Sequence, residues 1–361
     1  MTTPPPAAGP RSRLEPERAY RRPTAAGARP LRLDSNEGLL PSSAVLAPLA
    51  QADPELLRRY PDVSALETAL AARVAVAPER LTVTAGADDA IDRACRAFLE
   101  PGRGMLVPDP CFDMFERCAA LAWGASVQVP WRGGRFPLEG FLAGLDQRIA
   151  VVVVVSPHNP TGAVARLGDV RRLATAAPTA LVLLDHVYVE YADEDLTSAV
   201  LDLPNVLVLR TLSKAWGLAG CRVGYAVGSP YVIGVLRAAG APYAVAAPSV
   251  ALALAQLERG TDSLRAHVAR IREERGLLMA RLAARGLAPE PSQGNFVYVD
   301  CGTQARAIRA GLAAQGVSVR EFPRCPGLET GLRITLPGDP RDFERLCAAL
   351  DAVLERPEVG P

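Results

Sequence analysis

Two uninterrupted aliphatic runs constrain the fold of this chain more than any other feature. Residues 151–155 read VVVVV and residues 181–184 read LVLL, with no polar residue alternating within either run. Strands that face water on one side alternate apolar and polar residues, whereas strands covered by helices on both faces do not. The two runs therefore predict strands buried inside a helix-covered sheet.

The segments around these runs extend the pattern into an α/β arrangement. Further short β-rich stretches (LTVT, MLVP, SVQVP and VLVLR) occur between about Leu81 and Leu209, separated by helical or loop sequence. The stretch before them predicts a helix that opens with Ser64 and Glu67 at the spacing of a capping box. Because strands alternate with helices, the sheet is predicted to be mostly parallel.

The length and the C-terminal pattern predict two domains. A chain of 361 residues is too long for one ordinary core. A charged amphipathic helix over 261–286 breaks the strand–helix rhythm, and NFVYVD, VSVR and GLRITL then predict three short strands before a last helix. We predict a flexible N-terminal arm over 1–30 and a large domain over 31–255, whose N-terminal segment can pack on the small domain. The small α+β domain is predicted over 256–361.

The composition excludes several classes of partner. The chain is 49% hydrophobic and 22% charged, and its formal net charge of +1 offers no electrostatic basis for binding nucleic acid or an anionic membrane. No apolar run is long enough to span a bilayer, and the beginning of the sequence lacks the apolar core of a secretory signal. Seven cysteines without a CxxC pair and three scattered histidines predict no metal site. We expect a cytoplasmic protein that acts on small molecules.

Polar residues follow several of the predicted strands directly. The carboxyl ends of strands in an open α/β sheet are where ligands bind, so these residues are expected to meet at one rim. They are Gly86, Ala87 and Asp88 after LTVTA, Asn159 after VVVVV, Asp185 and Tyr188 at the end of LVLLD, and Thr211, Ser213 and Lys214 after VLVLR.

One cofactor, pyridoxal phosphate, would use all of these groups, because it carries an aldehyde, a ring nitrogen, a phenolic oxygen and a phosphate. Lys214 would form the Schiff base with the aldehyde. Asp185 would hold the ring nitrogen protonated, and Asn159 and Tyr188 would hydrogen-bond the phenolic oxygen. We therefore predict Lys214, Asp185 and Tyr188 as the catalytic residues.

The phosphate of that cofactor would rest at the start of the helix that follows Gly86. Backbone N–H groups at a helix N-terminus and the positive end of the helix dipole favour an anion. The predicted cradle is completed by two hydroxyls and one guanidinium, and it comprises Gly86, Ala87, Asp88, Thr211, Ser213 and Arg222.

Each of these residues has an ordinary alternative role. Asp185 could cap the turn after its strand, and the hydroxyl residues could be routine turn residues. Aromatic residues such as Phe112 and Tyr60 could pack in a core or an interface, and arginines are most often surface charges. The alternatives must all hold independently, whereas a single cofactor accounts for the whole set.

Nine motifs in order make the chain resemble a known family. They are SNEG with PS, RYPD, TAGADDAID, PDPCF, SPHNPTG, LLDHVY, TLSKAWGLAGCRVGY, PSQGNF and GLRIT. From about Tyr20 to Leu350 the sequence resembles the fold-type I, class I and II aminotransferases, most closely their histidinol-phosphate branch. The resemblance implies a large domain with a mostly parallel seven-stranded sheet between helices, a small α+β C-terminal domain, and pyridoxal phosphate as cofactor.

The resemblance also implies roles for residues outside the strand ends. Phe112 matches the aromatic residue that stacks on the cofactor ring. Tyr60 matches a tyrosine that reaches the cofactor phosphate of a neighbouring subunit, which implies a homodimer with shared active sites. Arg333 matches the arginine that binds the α-carboxylate of the substrate.

Three further positions are predicted to lie near the substrate by the same resemblance. Tyr20 and Arg320 match groups near the distal phosphate of the substrate, and Asn36 belongs to a loop that is one residue shorter here than in the family. His158 and His186 replace the family's asparagine and glutamate, and we expect them to fill polar positions rather than to catalyse.

The predicted reaction is transfer of an amino group between an amino donor, such as histidinol phosphate or a related amino acid, and a 2-oxo acid such as 2-oxoglutarate. Two alternatives on the same scaffold are an aminotransferase for aromatic or specialised-metabolite amino acids and a decarboxylase of the threonine-phosphate type. A Rossmann-type nucleotide-binding protein is disfavoured, because the only glycine cluster that is a candidate for its fingerprint, Gly102 to Gly104, precedes a strand instead of following one.

Overall fold

A computed structural model describes residues 30–323 and 325–355, which form two sheets and their covering helices. The strands are β1 Leu31–Leu33, β2 Leu81–Thr84, β3 Gly104–Asp109, β4 Ala125–Pro130, β5 Ile149–Val155, β6 Leu181–Asp185, β7 Val206–Thr211, β8 Gly224–Gly228, β9 Ala288–Pro289, β10 Phe296–Asp300, β11 Val317–Glu321 and β12 Gly331–Thr335.

The helices surround these strands and join them. They are α1 Ala47–Ala50, α2 Glu55–Arg58, α3 Ser64–Arg73, α4 Ala87–Phe98, α5 Met114–Leu121, α6 Leu138–Ala143, α7 Leu167–Ala176, α8 Pro230–Ala239, α9 Ala247–Arg259, α10 Thr261–Ala284, α11 Ala305–Ala314 and α12 Pro340–Leu354.

The larger sheet has seven strands in the order β2-β8-β7-β6-β5-β3-β4. All neighbours are parallel except β8, which runs antiparallel to both β2 and β7. The predicted fold class, a mostly parallel sheet between helices, is therefore confirmed. The parallel strands β5, β6 and β7 place their carboxyl ends at one rim.

The aliphatic runs are buried because alternate residues enter two different cores. Val151 and Val153 of β5 pack in a cluster with α4, α5 and α8, whereas Val152 and Val154 pack in a cluster on the opposite face that includes α3 and α7. Every residue of β5 is buried. A strand with an apolar core on each side cannot alternate with polar residues, which explains the run of five valines.

The smaller sheet joins the two ends of the described chain, in the order β1-β11-β12-β10-β9. β1 pairs in parallel with β11, so the N-terminal segment lies on the sheet formed by C-terminal residues. This pairing carries the loop after β1 to the rim of the larger sheet. The 24-residue helix α10 lies between the last strand of the larger sheet, β8, and the C-terminal strands of the smaller sheet, β9 to β12.

The start of α3 differs from the prediction. The helix begins at Ser64, but the predicted capping box between Ser64 and Glu67 is wrong. The carboxylate of Asp62 accepts hydrogen bonds from the backbone and hydroxyl of Ser64 at 2.9 and 2.6 Å. Glu67 instead accepts from the backbone N–H of Val83 at 2.9 Å, because β2 packs against this helix.

Neither a membrane-spanning helix nor a metal-binding cluster occurs in the described part of the chain. None of its helices is both long enough and apolar enough to cross a bilayer. No group of three or more histidine, cysteine, aspartate or glutamate residues within 30–323 and 325–355 is arranged to hold a metal ion.

Candidate active site

Lys214 lies three residues beyond β7 and points into the rim of the large sheet. Its half-buried ammonium donates a hydrogen bond to the backbone oxygen of Ser35 at 3.1 Å and lies 5.6 Å from the centre of the Tyr188 ring. Lys214 is also the only lysine in the 361-residue sequence, in which lysine and arginine together number 40. Any chemistry that needs a lysine amine must therefore occur here.

Asp185 ends β6 and is buried, with the charge of Lys214 near enough to act on its carboxyl. Burial raises the pKa of its carboxyl to about 7, against the attraction of Lys214, which lowers it. One carboxylate oxygen accepts a weak hydrogen bond from the backbone N–H of Val187 at 3.3 Å. Among the described residues no arginine or lysine forms an ion pair with this carboxylate. A cationic ligand group would supply the missing partner.

A chain of hydrogen bonds links Tyr188 to the small sheet through Asn36. The side-chain amide of Asn36 donates to the phenol oxygen of Tyr188 at 3.0 Å, and its oxygen accepts from the hydroxyl of Thr335 at 2.8 Å. The backbone of Asn36 accepts from the amide of Asn295 at 3.3 Å. All these side chains are buried, so the loop after β1 is held firmly against Tyr188.

Arg333 connects the small sheet to the loop that follows β5. Its guanidinium donates to the side-chain oxygen of Asn159 at 2.5 Å and to the backbone oxygen of Asp34 at 2.7 Å. The same guanidinium lies 5.5 Å from the centre of the Phe296 ring. The arginine is buried and cationic at the rim, where a substrate carboxylate would find a planar pair of donors.

The region predicted to hold a phosphate forms where β2 turns into α4. Gly86 has φ +82°, and a Cβ atom at this position would lie 2.7 Å from a terminal nitrogen of Arg222. Arg222 donates to the hydroxyl of Ser213 at 3.4 Å and pairs with the carboxylate of Asp88 at 3.2 Å. Ala87 is the first residue of α4, so its N–H belongs to the free helix terminus.

Thr211 faces the backbone rather than the cradle. Its hydroxyl donates to the carbonyl of Val223 at 3.3 Å and accepts from the N–H of Ser213 at 3.1 Å. These two bonds brace the turn that presents Lys214. A direct contact of Thr211 with a phosphate remains a prediction.

The remaining predicted residues differ in their burial and in the elements that carry them. Phe112 is half-buried in the loop between β3 and α5 and packs against the core. Arg320 lies directly opposite Arg333 in the register of β11 and β12, so both side chains project from the same face of the small sheet. Tyr60 is 79% exposed and stacks on Tyr243, with ring centres 4.4 Å apart. Tyr20 lies outside the described residues.

His158 and His186, which stand where the family has asparagine and glutamate, are buried and act as neutral hydrogen-bonding groups. His158 contacts the hydroxyl of Thr161 and the carbonyl of Pro110, each at 2.8 Å, and His186 contacts the carbonyl of Ser156 and the N–H of Leu196. Burial lowers the pKa of each imidazole to about 4. A non-catalytic role for both histidines stays a prediction.

Sequence reasoning missed four contributors to the site. Thr335 and Asn295 position Asn36, and the backbone oxygens of Asp34 and Ser35 receive Arg333 and Lys214. Thr335 had a detectable signal, because it follows Arg333 by two residues on the same face of a strand. The backbone acceptors had none.

The assembled groups fit pyridoxal phosphate. The site provides an amine, a buried carboxylate that lacks a cation, a phenol, an amide and a helix N-terminus beside a guanidinium. Gly86 is needed for that last element, since a side chain there would occupy the space taken by Arg222. The donor set corresponds to the aldehyde, ring nitrogen, phenolic oxygen and phosphate of the cofactor.

Comparisons with known proteins agree with this geometry. The family model described as aminotransferase class I and II matches residues 29–350. The histidinol-phosphate aminotransferase of Stenotrophomonas maltophilia is 38% identical over 308 residues, which cover 82% of this chain and 84% of the relative. The aromatic amino acid aminotransferase of Mycobacteroides abscessus is 34% identical over 313 residues, with 85% and 88% covered.

A solved structure shows the same likeness in three dimensions. The crystal structure of histidinol-phosphate aminotransferase from Sinorhizobium meliloti in complex with pyridoxal-5'-phosphate matches with a TM-score of 0.81 and 30% sequence identity. The match covers 90% of this chain and 91% of that one.

Proposed function

The chain belongs to the class I and II aminotransferase family and depends on pyridoxal phosphate, and from that premise we propose the roles of its residues and the class of its amino donor. The observation that carries the proposal is the placement of Lys214. The sole lysine of the sequence lies half-buried over the Tyr188 ring, beside the buried carboxylate of Asp185.

Pyridoxal phosphate supplies an electron sink that makes the α-carbon of a bound amino compound acidic. In our proposal the amine of Lys214 attaches the cofactor at rest. When free, this amine would accept and return the proton at the α-carbon of the bound amino substrate. The hydrogen bond to the backbone oxygen of Ser35 would keep the amine of Lys214 within the rim when it is not attached to the cofactor.

Asp185 and Tyr188 are proposed to set the electronic state of the site. The buried carboxylate of Asp185 would hold a proton on the ring nitrogen, and the resulting ion pair would lower the pKa of this carboxyl. Tyr188 would donate its phenol hydrogen to the phenolic oxygen, while the amide of Asn36 donates to Tyr188 and fixes its direction. Asn159 would contact the same oxygen.

The cofactor phosphate is proposed to bind to the backbone of Gly86, Ala87 and Asp88. Arg222 and Ser213 already contact one another next to this helix terminus. When the phosphate binds, it would replace the carboxylate of Asp88 as the partner of Arg222. Phe112 is proposed to stack on the ring.

For the amino donor we propose a compound that carries an anionic group close to its amine, such as histidinol phosphate or a related molecule. Arg333 would bind a substrate carboxylate, including that of the 2-oxo acid acceptor, for example 2-oxoglutarate. Arg320 projects from the same face of the small sheet and would provide a second cation for the anionic group of the donor. Tyr20 is proposed to assist it.

An aromatic amino acid is the second candidate donor, and one observation favours it. Phe322 lies 5.9 Å from the guanidinium of Arg333, and its ring centre lies 6.2 Å from that of Tyr298. These rings form an apolar wall beside the proposed carboxylate site. A neutral aromatic side chain would pack against that wall without needing Arg320.

We also propose that the protein works as a homodimer. Tyr60, Tyr243 and Leu57 are 79%, 58% and 77% exposed, which places large apolar side chains together with an aromatic stack on the surface. Exposed apolar groups of this kind mark association surfaces. In the dimer Tyr60 would reach the cofactor phosphate of the partner subunit. Residues 31–255 and 256–361 are proposed as the large and small domains, with β1 attached to the small one.

The test uses the unique lysine. Borohydride reduction of the cofactor-loaded protein should fix the cofactor on Lys214, as located by peptide mass spectrometry, and Lys214→Ala should abolish both the label and turnover. Label on the α-amino group alone, or activity retained in the variant, would refute the assignment. An amino-donor screen with 2-oxoglutarate should release glutamate; carbon dioxide release without glutamate would instead indicate a decarboxylase.

A further inference from the structure

A cavity of about 440 Å³ opens outside the catalytic rim, between loops of the larger sheet and the segment that contains α10 and residues 291–293. One wall comes from the loops before α6 and after β5, and the other from Arg275 of α10 and the segment 291–293. We propose that this cavity binds a small anion carrying carboxylate or phosphate groups. This site is separate from the one proposed for the cofactor and the amino donor.

The charges that line the cavity favour an anion. Three arginines contribute to its walls, namely Arg135, Arg166 and Arg275, against two aspartates. Within residues 30–323 and 325–355, none of the three guanidiniums forms an ion pair with a carboxylate within 4 Å. Neighbouring arginines behave differently: Arg171 and Arg172 on α7 pair with carboxylates at 2.8 and 3.2 Å.

The two aspartates do not satisfy these arginines. Asp169 is 5% exposed, and its carboxylate accepts the backbone N–H of Arg166 at 2.9 Å as it caps the start of α7. Asp193 is exposed and acts on Arg275 only through its field, which opposes the lowering of the Arg275 pKa by burial. One positive charge in excess therefore lines a space of ligand size.

Arginine is suited to hold such a ligand. Its planar fork gives two parallel hydrogen bonds to a carboxylate or a phosphate, and each charge-assisted bond is stronger than a neutral one. Arg275 is partly anchored, since it donates to the carbonyl of Gly294 at 3.0 Å. Arg135 and Arg166 are exposed and can close on the ligand from the solvent side.

The cavity lies against a contact between the two parts of the chain. The carbonyl of Gly162 accepts from the N–H of Gln293 at 2.8 Å, and a Cβ atom on Gly162 would lie 2.0 Å from the hydroxyl of Ser292. Gly162 follows Asn159, the partner of Arg333, by three residues. An anion in the cavity would bridge the loop that contains Gly162 and the segment 291–293, and it would strengthen the contact between them.

The experiment measures anion binding to the cofactor-loaded enzyme by isothermal titration calorimetry at constant ionic strength. The probes are citrate for carboxylates and inorganic pyrophosphate for phosphates, and the tighter one identifies the ligand class. The double variant Arg135→Gln/Arg166→Gln should weaken binding of that probe about tenfold or more, the range expected for loss of charged hydrogen bonds. The matched variant Arg171→Gln/Arg172→Gln removes equal charge from exposed pairs and should bind like the wild type.

Three results would overturn the proposal. The wild type could bind neither probe at millimolar concentration, or both double variants could lose affinity equally, which would show a general surface charge effect. A third is loss of binding in Arg320→Gln with full binding in Arg135→Gln/Arg166→Gln, since the anion would then occupy the substrate site. Thermal unfolding of each variant checks that it is folded, and Arg275→Lys, which keeps the charge, should retain part of the affinity.

Discussion

Replacement of Asp185 by asparagine should stabilise the cofactor-free protein relative to the wild type. This difference in the free energy of unfolding should grow as the pH rises. Burial raises the pKa of this carboxyl from its ordinary value of 3.8 to about 7. The folded protein therefore keeps a proton that the unfolded chain has already released over this interval. Because the folded state binds more protons there, the stability of the wild type falls between about pH 4 and pH 7.

The magnitude follows from the difference between these two pKa values. About three pKa units at 1.36 kcal/mol each set an upper limit of roughly 4 kcal/mol on the cost of ionising this group in the folded protein. Asparagine keeps the oxygen that accepts the Val187 N–H but carries no charge. The free energy of unfolding of Asp185→Asn, relative to the wild type, should therefore increase by up to that amount from pH 4 to pH 8.

The assay compares urea unfolding of both cofactor-free proteins at pH 4, 5, 6, 7 and 8. Asp262→Asn is the control for the substitution itself, since that carboxylate is exposed. Saturating pyridoxal phosphate should abolish the trend in the wild type, because the cationic ring nitrogen lowers the pKa of Asp185. A difference between Asp185→Asn and the wild type that is the same at pH 5 and pH 8 would refute the reasoning.

Three further predictions concern the phosphate cradle, the carboxylate site and the loop after β1. Gly86→Ala places a methyl group 2.7 Å from Arg222 at φ +82°, and it should weaken pyridoxal phosphate binding about tenfold or more in equilibrium dialysis. Arg333→Lys loses the planar pair of donors and should lower kcat/KM for 2-oxo acids by about 10- to 100-fold in steady-state kinetics. Asn36→Ala removes the hydrogen bond to Tyr188 and should lower the free energy of unfolding by about 1–3 kcal/mol in urea titrations.

Each of these three predictions has an outcome that would contradict it. Gly168→Ala places its methyl group in open space and should bind the cofactor normally, so equal losses in both alanine variants would count against the cradle. Arg333→Lys should keep the cofactor's absorbance spectrum, because a change there would mean that the arginine acts on the ring. Unchanged stability of Asn36→Ala would show that its hydrogen-bond chain does not join the loop to the small sheet.

The local pattern of the sequence determined the large sheet and the residues at its rim. The aliphatic runs of β5 and β6 could belong only to strands buried on both faces, and parallel strands bring their carboxyl ends together. Asp185 ends β6, and Asn159 and Lys214 lie four and three residues beyond β5 and β7. The pattern around each of these residues therefore predicts that all three lie at one rim of the sheet.

Tertiary structure alone decided how the rim is closed. Asn36 and Thr335 are 299 residues apart, and Arg333 and Asn159 are 174 apart, yet both pairs form hydrogen bonds. They meet because β1 pairs with β11 in a sheet built from both ends of the described chain. Strand periodicity reports which face of a strand is buried, but it carries no information about which distant strand lies beside it. That choice depends on the packing of the whole molecule.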